Sequence, residues 1–310
     1  MRLEASALSG KVVFISGDGR GSGKTALLAY AMGLLRAEGE RPAYLGVGLD
    51  GESERAAAVA GQFAQGRGSL VPCLPGELFL SSERYLRSSG CEPEIVALLP
   101  GSGALGRLAI ARARRPGLAV LVGPDSNELA ALAIGLMRGE LGARTVLVDG
   151  AFNRITQVAS FPGSVFFVAT CVSPADLAGK VKAMRRLALL ADLPELGAGA
   201  KEDPDRSAVE AGLGTRAAWI EGALTASTLD RVGVETRTIV VEDFTKVFLE
   251  EPALSCLLRD RSLAVERRIG FGGFVARLRD LTWEAFFEAI RDERVESLVL
   301  RNPYEEGVFA

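Results

Sequence analysis

The chain has 310 residues, of which 48% are hydrophobic and 24% charged, and its formal net charge is −3. This length can bury one large core or two smaller ones, and so small a net charge gives no electrostatic reason to expect nucleic-acid binding. Histidine is absent, which excludes His-ligated zinc and every mechanism based on a histidine acid or base.

Apolar runs and cysteine spacing indicate the cellular compartment. No apolar h-region of a secretory leader follows Met1, and no apolar run approaches the roughly 18 residues of a membrane span. The four cysteines are widely spaced and form no C-x-x-C pair. We therefore expect reduced thiols in a cytoplasmic protein that has no membrane partner.

The first predicted elements are a strand, a glycine-rich turn and a helix. An apolar run over Val12–Ile15 predicts the strand, and the helix is predicted over 26–36. Glycines allow the backbone between them to close round a phosphate, which N–H groups and the helix dipole would bind. Lys24 would reach the β- and γ-phosphates, and the Thr25 hydroxyl would bind Mg²⁺.

The loop is one residue longer than the standard phosphate-binding pattern, because Asp18 stands where that pattern has a glycine. In this it resembles dethiobiotin-synthetase-like P-loop proteins. Arg20 would help to neutralise phosphate or would simply face solvent, and a glycine-rich turn without a ligand is the alternative for the whole loop. The predicted nucleotide contacts in this loop are Gly17, Gly19, Arg20, Gly21, Ser22, Gly23, Lys24 and Thr25.

Downstream, apolar runs alternate with helical patterns, which predicts an α/β fold of the P-loop NTPase kind. Its sheet would be mainly parallel, with helices on both faces. The composition of residues 198–208 predicts a linker or loop between a nucleotide-binding domain, 1–197, and a smaller C-terminal α/β region, 209–310. Strands are predicted over 43–47, 94–98, 107–113, 118–122, 145–148, 165–169, 236–241 and 297–300, and helices over 81–88, 126–141, 282–291 and from Ser173.

Two carboxylates follow predicted strands. The run Val146–Val148 ends in Asp149, which is typical of the Walker B strand, whose acid holds Mg²⁺ directly or through water. Asp50 follows the second strand, where dethiobiotin synthetase and the MinD-like ATPases have an acid that contacts Mg²⁺ or the nucleophile; Glu52 is an alternative ligand. Ordinary turns would also explain both aspartates.

Two further residues follow strand ends, where ligands commonly bind in α/β sheets. Arg154 comes shortly after Asp149 and is a candidate for contacting phosphate or an acidic substrate group. An exposed loop arginine is the alternative. Asp125 is a similar candidate, although capping of the following helix would explain it as well.

Several segments, taken in order, resemble one family: 17–25, 46–52, 103–107, 122–124, 146–154, 220–225 and 302–304. They resemble the P-loop reactivase subunit of the lysine 5,6-aminomutase system, which is associated with adenosylcobalamin- and pyridoxal-phosphate-dependent aminomutases of amino-acid fermentation. The resemblance implies ATP and Mg²⁺ as cofactors. It implies as partners an adenosylcobalamin-dependent aminomutase and a second reactivase subunit.

The resemblance implies that ATP hydrolysis drives the release of damaged cobalamin from the mutase. Lys24, Asp50 and Asp149 would organise hydrolysis, with the metal held by Thr25 and the two aspartates. No Asn-Lys-x-Asp guanine motif is present, which favours ATP over GTP. Two alternatives remain: a carboxylate-activating enzyme of the dethiobiotin-synthetase type, and a subunit that binds ATP without hydrolysing it.

Overall fold

The computed structural model describes residues 2–19, 21–46, 70–101, 106–124, 126–150, 161, 163–197, 199–213 and 216–302. It divides into two compact units. The units are interleaved along the chain, whereas the sequence predicted two consecutive regions. The first unit comprises Met1–Cys171, Gly272–Arg277 and Val299–Ala310, and the second Val172–Phe271 and Leu278–Leu298.

The strands of the described part of the chain are β1 Val12–Gly17, β2 Ala43–Gly46, β3 Leu70–Cys73, β4 Leu78–Ser82, β5 Pro93–Leu98, β6 Leu108–Ala113, β7 Gly117–Val120, β8 Val146–Asp149, β9 Val165–Val172, β10 Ala217–Trp219, β11 Thr238–Val241, β12 Ser262–Val265, β13 Gly270–Leu278 and β14 Val299–Arg301. The helices are α1 Lys24–Ala37, α2 Glu83–Leu86, α3 Asn127–Gly135, α4 Leu177–Ala191, α5 Pro204–Glu210, α6 Ala226–Leu229, α7 Glu251–Asp260, α8 Trp283–Ile290 and α9 Glu293–Ser297, with a π-helical turn at Leu136–Glu140 and 3₁₀ turns at Ala5–Ala7 and Phe244–Lys246.

Among these residues, nine strands form one large sheet in the order β14-β13-β9-β1-β8-β2-β4-β6-β5. Neighbouring strands from β9 to β4 are parallel, as are β13 and β14. The strands predicted over 94–98 and 107–113 are confirmed as β5 and β6, which are antiparallel to each other, and β6 is also antiparallel to β4. The prediction of an α/β protein with a mainly parallel sheet is therefore confirmed.

The large sheet belongs to the first unit, apart from the ends of β9 and β13. Strands β13 and β14 come late in the chain yet pair within this sheet, which is why the units do not follow chain order. The second unit contains a three-stranded parallel sheet in the order β10-β11-β12. No helix of the described residues is long and apolar enough to cross a membrane.

Helix α1 packs on one face of the large sheet. Val13 and Ile15 of β1 share a core cluster with Leu27 and Ala31 of the helix. Phe14, which points to the opposite face by strand alternation, is buried too. Burial on both faces explains why the central strands read as continuous apolar runs.

The far end of α1 is anchored by a buried ion pair. The Arg36 guanidinium donates to both carboxylate oxygens of Glu77 at 2.7 Å, and Glu77 is only 1% exposed. Arg36 also donates to the Pro72 carbonyl at 2.6 Å and to the Tyr44 hydroxyl at 3.3 Å. These contacts join the helix to β2, β3 and the start of β4, so the direction of α1 over the sheet is firmly set.

Two local predictions differ from the structure. Residues 198–208 were predicted as a linker or loop, but α5 begins inside this range, because Asp203 accepts a hydrogen bond from the Arg206 N–H at 3.1 Å and Pro204 is the first helical residue. The helix predicted to start at Ser173 instead begins at Leu177. The Asp176 carboxylate accepts from the Ser173 N–H at 2.7 Å, which makes the intervening residues a turn.

A third difference concerns the helix predicted over 81–88. The structure has a much shorter helix, α2, preceded by strand β4. All five residues of β4 are buried, and the strand pairs with β2 on one side and β6 on the other. Pairing within the sheet therefore decides the conformation of residues 81 and 82, against their local pattern.

Candidate functional site

Parallel strands end together at one edge of the large sheet. Ile15 of β1 lies opposite Asp149 of β8 and opposite Phe167 of β9, and Gly46 of β2 also lies opposite Asp149. From β1 the chain continues through α1 to β2, on the β8 side of β1, whereas the strand that follows β9 in this sheet is β13, on the side of β9 away from β1. The connections thus diverge between β1 and β9, and ligands of open α/β sheets bind at such a point.

The loop that follows β1 depends on its glycines. A Cβ atom on Gly17 would collide with the Ser22 hydroxyl, so the end of the loop folds back against its beginning. Gly21 has φ +72° and Gly23 has φ +93°, both in the left-handed region that favours glycine. The carbonyl of Gly23 accepts the Leu27 N–H at 2.9 Å, so the loop leads directly into α1.

The outer side of the loop is suited to an anion. Gly19 and Gly21 are exposed, and apart from their neighbours in the chain no described residue lies within 4 Å of where their Cβ atoms would be. The first turn of α1 has no acidic residue, and its N–H groups lack acceptors within the helix. Open backbone and the positive end of a helix dipole form the arrangement that binds phosphate.

Lys24 and Asp149 come together at the mouth of this loop. Lys24 Nζ lies 3.2 Å from Asp149 Oδ1; the lysine side chain is 24% exposed and the aspartate side chain 4%. The Gly150 N–H donates to the Ile15 carbonyl at 3.1 Å, so pairing with β1 continues past the carboxylate and holds it at this edge. The structure therefore brings together the two charged side chains that the sequence singled out in separate elements.

The extra loop residue, Asp18, is held by the other neighbour of β1. The Thr170 hydroxyl of β9 donates to Asp18 Oδ2, and the Asp18 N–H donates to the Ala169 carbonyl at 3.2 Å. Thr170 was not singled out from the sequence, since nothing in its local pattern distinguishes it from other strand residues. Asn302, which lies beside Gly23, was noted only as part of a resembling segment.

Magnesium fits the oxygen atoms available here. Thr25 is exposed on the first turn of α1, and Asp149 supplies a carboxylate at the adjacent strand end. The described residues contain no group of three or more His, Cys, Asp or Glu side chains that could hold a metal ion. Mg²⁺ commonly needs only one or two protein ligands, with phosphate and water completing its shell.

Several predicted site residues lie outside the described residues. The strand that precedes Asp50 and Glu52 and the strand that precedes Arg154 both end at the edge that carries the loop, at Gly46 and Asp149. The residues outside the described part of the chain are Arg20, Asp50, Glu52, Asp125 and Arg154.

Comparison of the chain with protein-family models, with curated proteins and with solved structures finds no match in any of the three.

Proposed function

We propose that this chain is a P-loop NTPase-like protein that binds ATP with Mg²⁺ at the loop between β1 and α1. The observation that carries the proposal is the meeting of Lys24 with Asp149, 3.2 Å apart, at the open end of a glycine-rich loop that begins a helix. The glycine conformations support it, because each of Gly17, Gly21 and Gly23 has a backbone or packing reason to lack a side chain.

Each residue has a definite role under this proposal. The loop N–H groups would bind phosphate oxygens, and the Lys24 ammonium would turn from Asp149 to the phosphates. Bound Mg²⁺ would neutralise phosphate charge, with Thr25 and Asp149 as the described residues able to hold it. Asp149 would then exchange one positively charged partner for another, so the buried carboxylate would stay compensated throughout.

We further propose that nucleotide hydrolysis serves the reactivation of an adenosylcobalamin-dependent aminomutase. The order of segments that resemble the reactivase subunit supports this. Release of a damaged cofactor requires the opening of a tight site. A nucleotide-driven partner can open that site only if one of its nucleotide states binds the open mutase better than another does.

The experiment is to measure ATP hydrolysis by the purified protein, alone and with a cobalamin-inactivated aminomutase from the same source. Stimulated hydrolysis with recovery of mutase activity would support the reactivase. Hydrolysis that is indifferent to the mutase but stimulated by a carboxylate metabolite would favour the dethiobiotin-synthetase type of enzyme. ATP binding without hydrolysis under every condition would favour a nucleotide-sensing subunit.

A further inference from the structure

Asn302 reaches the phosphate-binding loop from the far end of the described chain. It is the first residue after β14 and is only 4% exposed. Its backbone N–H donates to the Ala276 carbonyl at 2.9 Å, which extends the pairing of β14 with β13. A Cβ atom on Gly23 would lie 3.3 Å from Asn302 Nδ2, so the side-chain amide packs against this glycine.

The placement of Asn302 follows from the core beneath α1. Leu300 of β14 lies opposite Val275 of β13. Both residues belong to the core cluster that contains Leu27 and Leu28 of α1. Strand β14 is thus packed with the same helix whose first residue follows Gly23, and little freedom remains between the amide and the loop.

Gly23 is the residue at which the loop turns into α1. Its left-handed φ of +93° turns the chain into α1, immediately before Lys24. Glycine reaches such a conformation readily but also leaves it readily, because it has the largest conformational freedom of any residue. A rigid neighbour restricts that freedom and so fixes the direction of the N–H groups at the start of the helix.

We propose that Asn302 is a positioning residue for the phosphate-binding loop. Its amide holds the turn at Gly23 and pre-organises the N–H groups around Lys24, while the Thr170 hydroxyl holds the beginning of the loop at Asp18. The consequence for nucleotide affinity rests on the proposed function. The ordering of the loop in the ligand-free protein does not.

The test combines two measurements on the full chain. Hydrogen exchange of the ligand-free protein reports the order of residues 21–26, and titration with Mg·ATP reports affinity. We expect Asn302→Ala to speed exchange in this segment several-fold and to weaken Mg·ATP binding about tenfold, or roughly 1.4 kcal/mol. KM should rise while kcat changes little, because Asn302 acts on the loop and not on the reacting phosphate.

Val299→Ala is the matched control. Val299 is buried on the same strand, one residue before Leu300, and therefore faces the other side of the sheet. We expect this variant to loosen β13 and β14 without altering exchange at residues 21–26. Loop exchange that speeds up equally in Val299→Ala and Asn302→Ala would overturn the inference, since the effect would then belong to the strand as a whole.

Two further outcomes separate this inference from the proposed function. Wild-type protein that binds no ATP, combined with faster loop exchange in Asn302→Ala, would refute the nucleotide proposal and retain the positioning role. Normal ATP binding by the wild type, combined with unchanged loop exchange in Asn302→Ala, would refute the positioning role and retain the nucleotide proposal. Should the alanine variant fail to fold, Asn302→Ser keeps a polar side chain but is too short to reach Gly23; it should also speed loop exchange, and wild-type exchange at residues 21–26 in this variant would overturn the positioning role.

Discussion

Asp149 and Asp243 occupy similar places in the two units but have different surroundings. Asp149 ends the apolar run of β8 in the first unit, and Asp243 comes two residues after β11 in the second; both strands have parallel neighbours on both sides. Asp149 lies 3.2 Å from Lys24 of the glycine-rich loop. Asp243 is fully buried and accepts the N–H of Thr245, two residues on, at 2.8 Å.

An acid after a buried strand is not by itself a functional site. Asp243 caps the turn that follows it, which is the ordinary use of such a residue. Asp149 faces a cation supplied by another element, beside backbone N–H groups that have no helical acceptor. What distinguishes the two aspartates is therefore the neighbouring loop.

The largest effect on stability is expected from the ion pairs. Glu77→Gln leaves the half-buried Arg36 guanidinium without its charged partner and should lower the free energy of unfolding by about 3 kcal/mol. Glu242→Gln removes a carboxylate that is 45% exposed and pairs with Arg267 and Lys246, so the loss should stay below about 1 kcal/mol. Chemical denaturation of both variants measures this difference, and equal losses would show that the buried pair does not anchor α1.

The next effect is on nucleotide binding. Lys24→Ala should weaken Mg·ATP binding about 100-fold, because charge-assisted contacts to phosphate contribute roughly 1.5–3 kcal/mol. Lys246→Ala, which removes a cation paired with Glu242 in the second unit, should leave affinity unchanged. Fluorescence titration with both variants checks this, and circular dichroism confirms that each is folded. Unchanged affinity in the Lys24 variant would rule out the phosphate-binding role of the loop.

A smaller effect is expected from the two aspartates themselves. Asp149→Asn should retain ATP binding and reduce Mg²⁺-dependent hydrolysis by about 10- to 100-fold, through loss of a charged group at the reacting phosphate. Asp243→Ala should lower stability by about 1 kcal/mol through loss of a cap and leave the hydrolysis rate per folded molecule unchanged. Normal hydrolysis by the Asp149 variant would contradict the proposed Walker B role.

The smallest expected effect is a difference in thiol reactivity between Cys73 and Cys256. Burial raises the pKa of the Cys73 thiol far above its usual range, so Cys73 remains protonated at neutral pH and should react with a thiol reagent only after unfolding. Cys256 is exposed and should react in the folded protein. Labelling followed by mass spectrometry distinguishes them, and fast labelling of Cys73 in the native protein would contradict its place in the core.

The raised pKa of the Cys73 thiol also makes the stability of the protein depend on pH. The unfolded Cys73 thiol ionises at about pH 8.5, whereas the folded thiol stays neutral to higher pH. The contribution of this thiol to stability is therefore constant below about pH 8 and falls above it, by at most about 1.4 kcal/mol per pH unit. Denaturation at pH 7.5 and 9.5, with Cys73→Ala as the control, measures the difference.

Features that depend on neighbouring residues could be predicted from the sequence. The strand, glycine turn and helix over β1 and α1 follow from an apolar run, glycines that adopt left-handed φ values, and a helical pattern. Strands β5 and β6 and the start of α8 also follow from local sequence. Thr282 caps α8 by accepting the Ala285 N–H at 3.2 Å. The helix α5 shows the limit, since a capping aspartate and a proline outweighed a composition typical of linkers.

The residues that meet across long distances in the chain are set by the fold as a whole. Four features join segments that are far apart in the chain. They are the pairing of β13 with β14 in the large sheet, the contact of Lys24 with Asp149, the hydrogen bond from Thr170 to Asp18 and the packing of Asn302 on Gly23. The physical reason is that strand order and register are set by how all the apolar faces can be buried at once. No local pattern carries that information, so the sequence identified the loop and its acid, and the sheet decided what surrounds them.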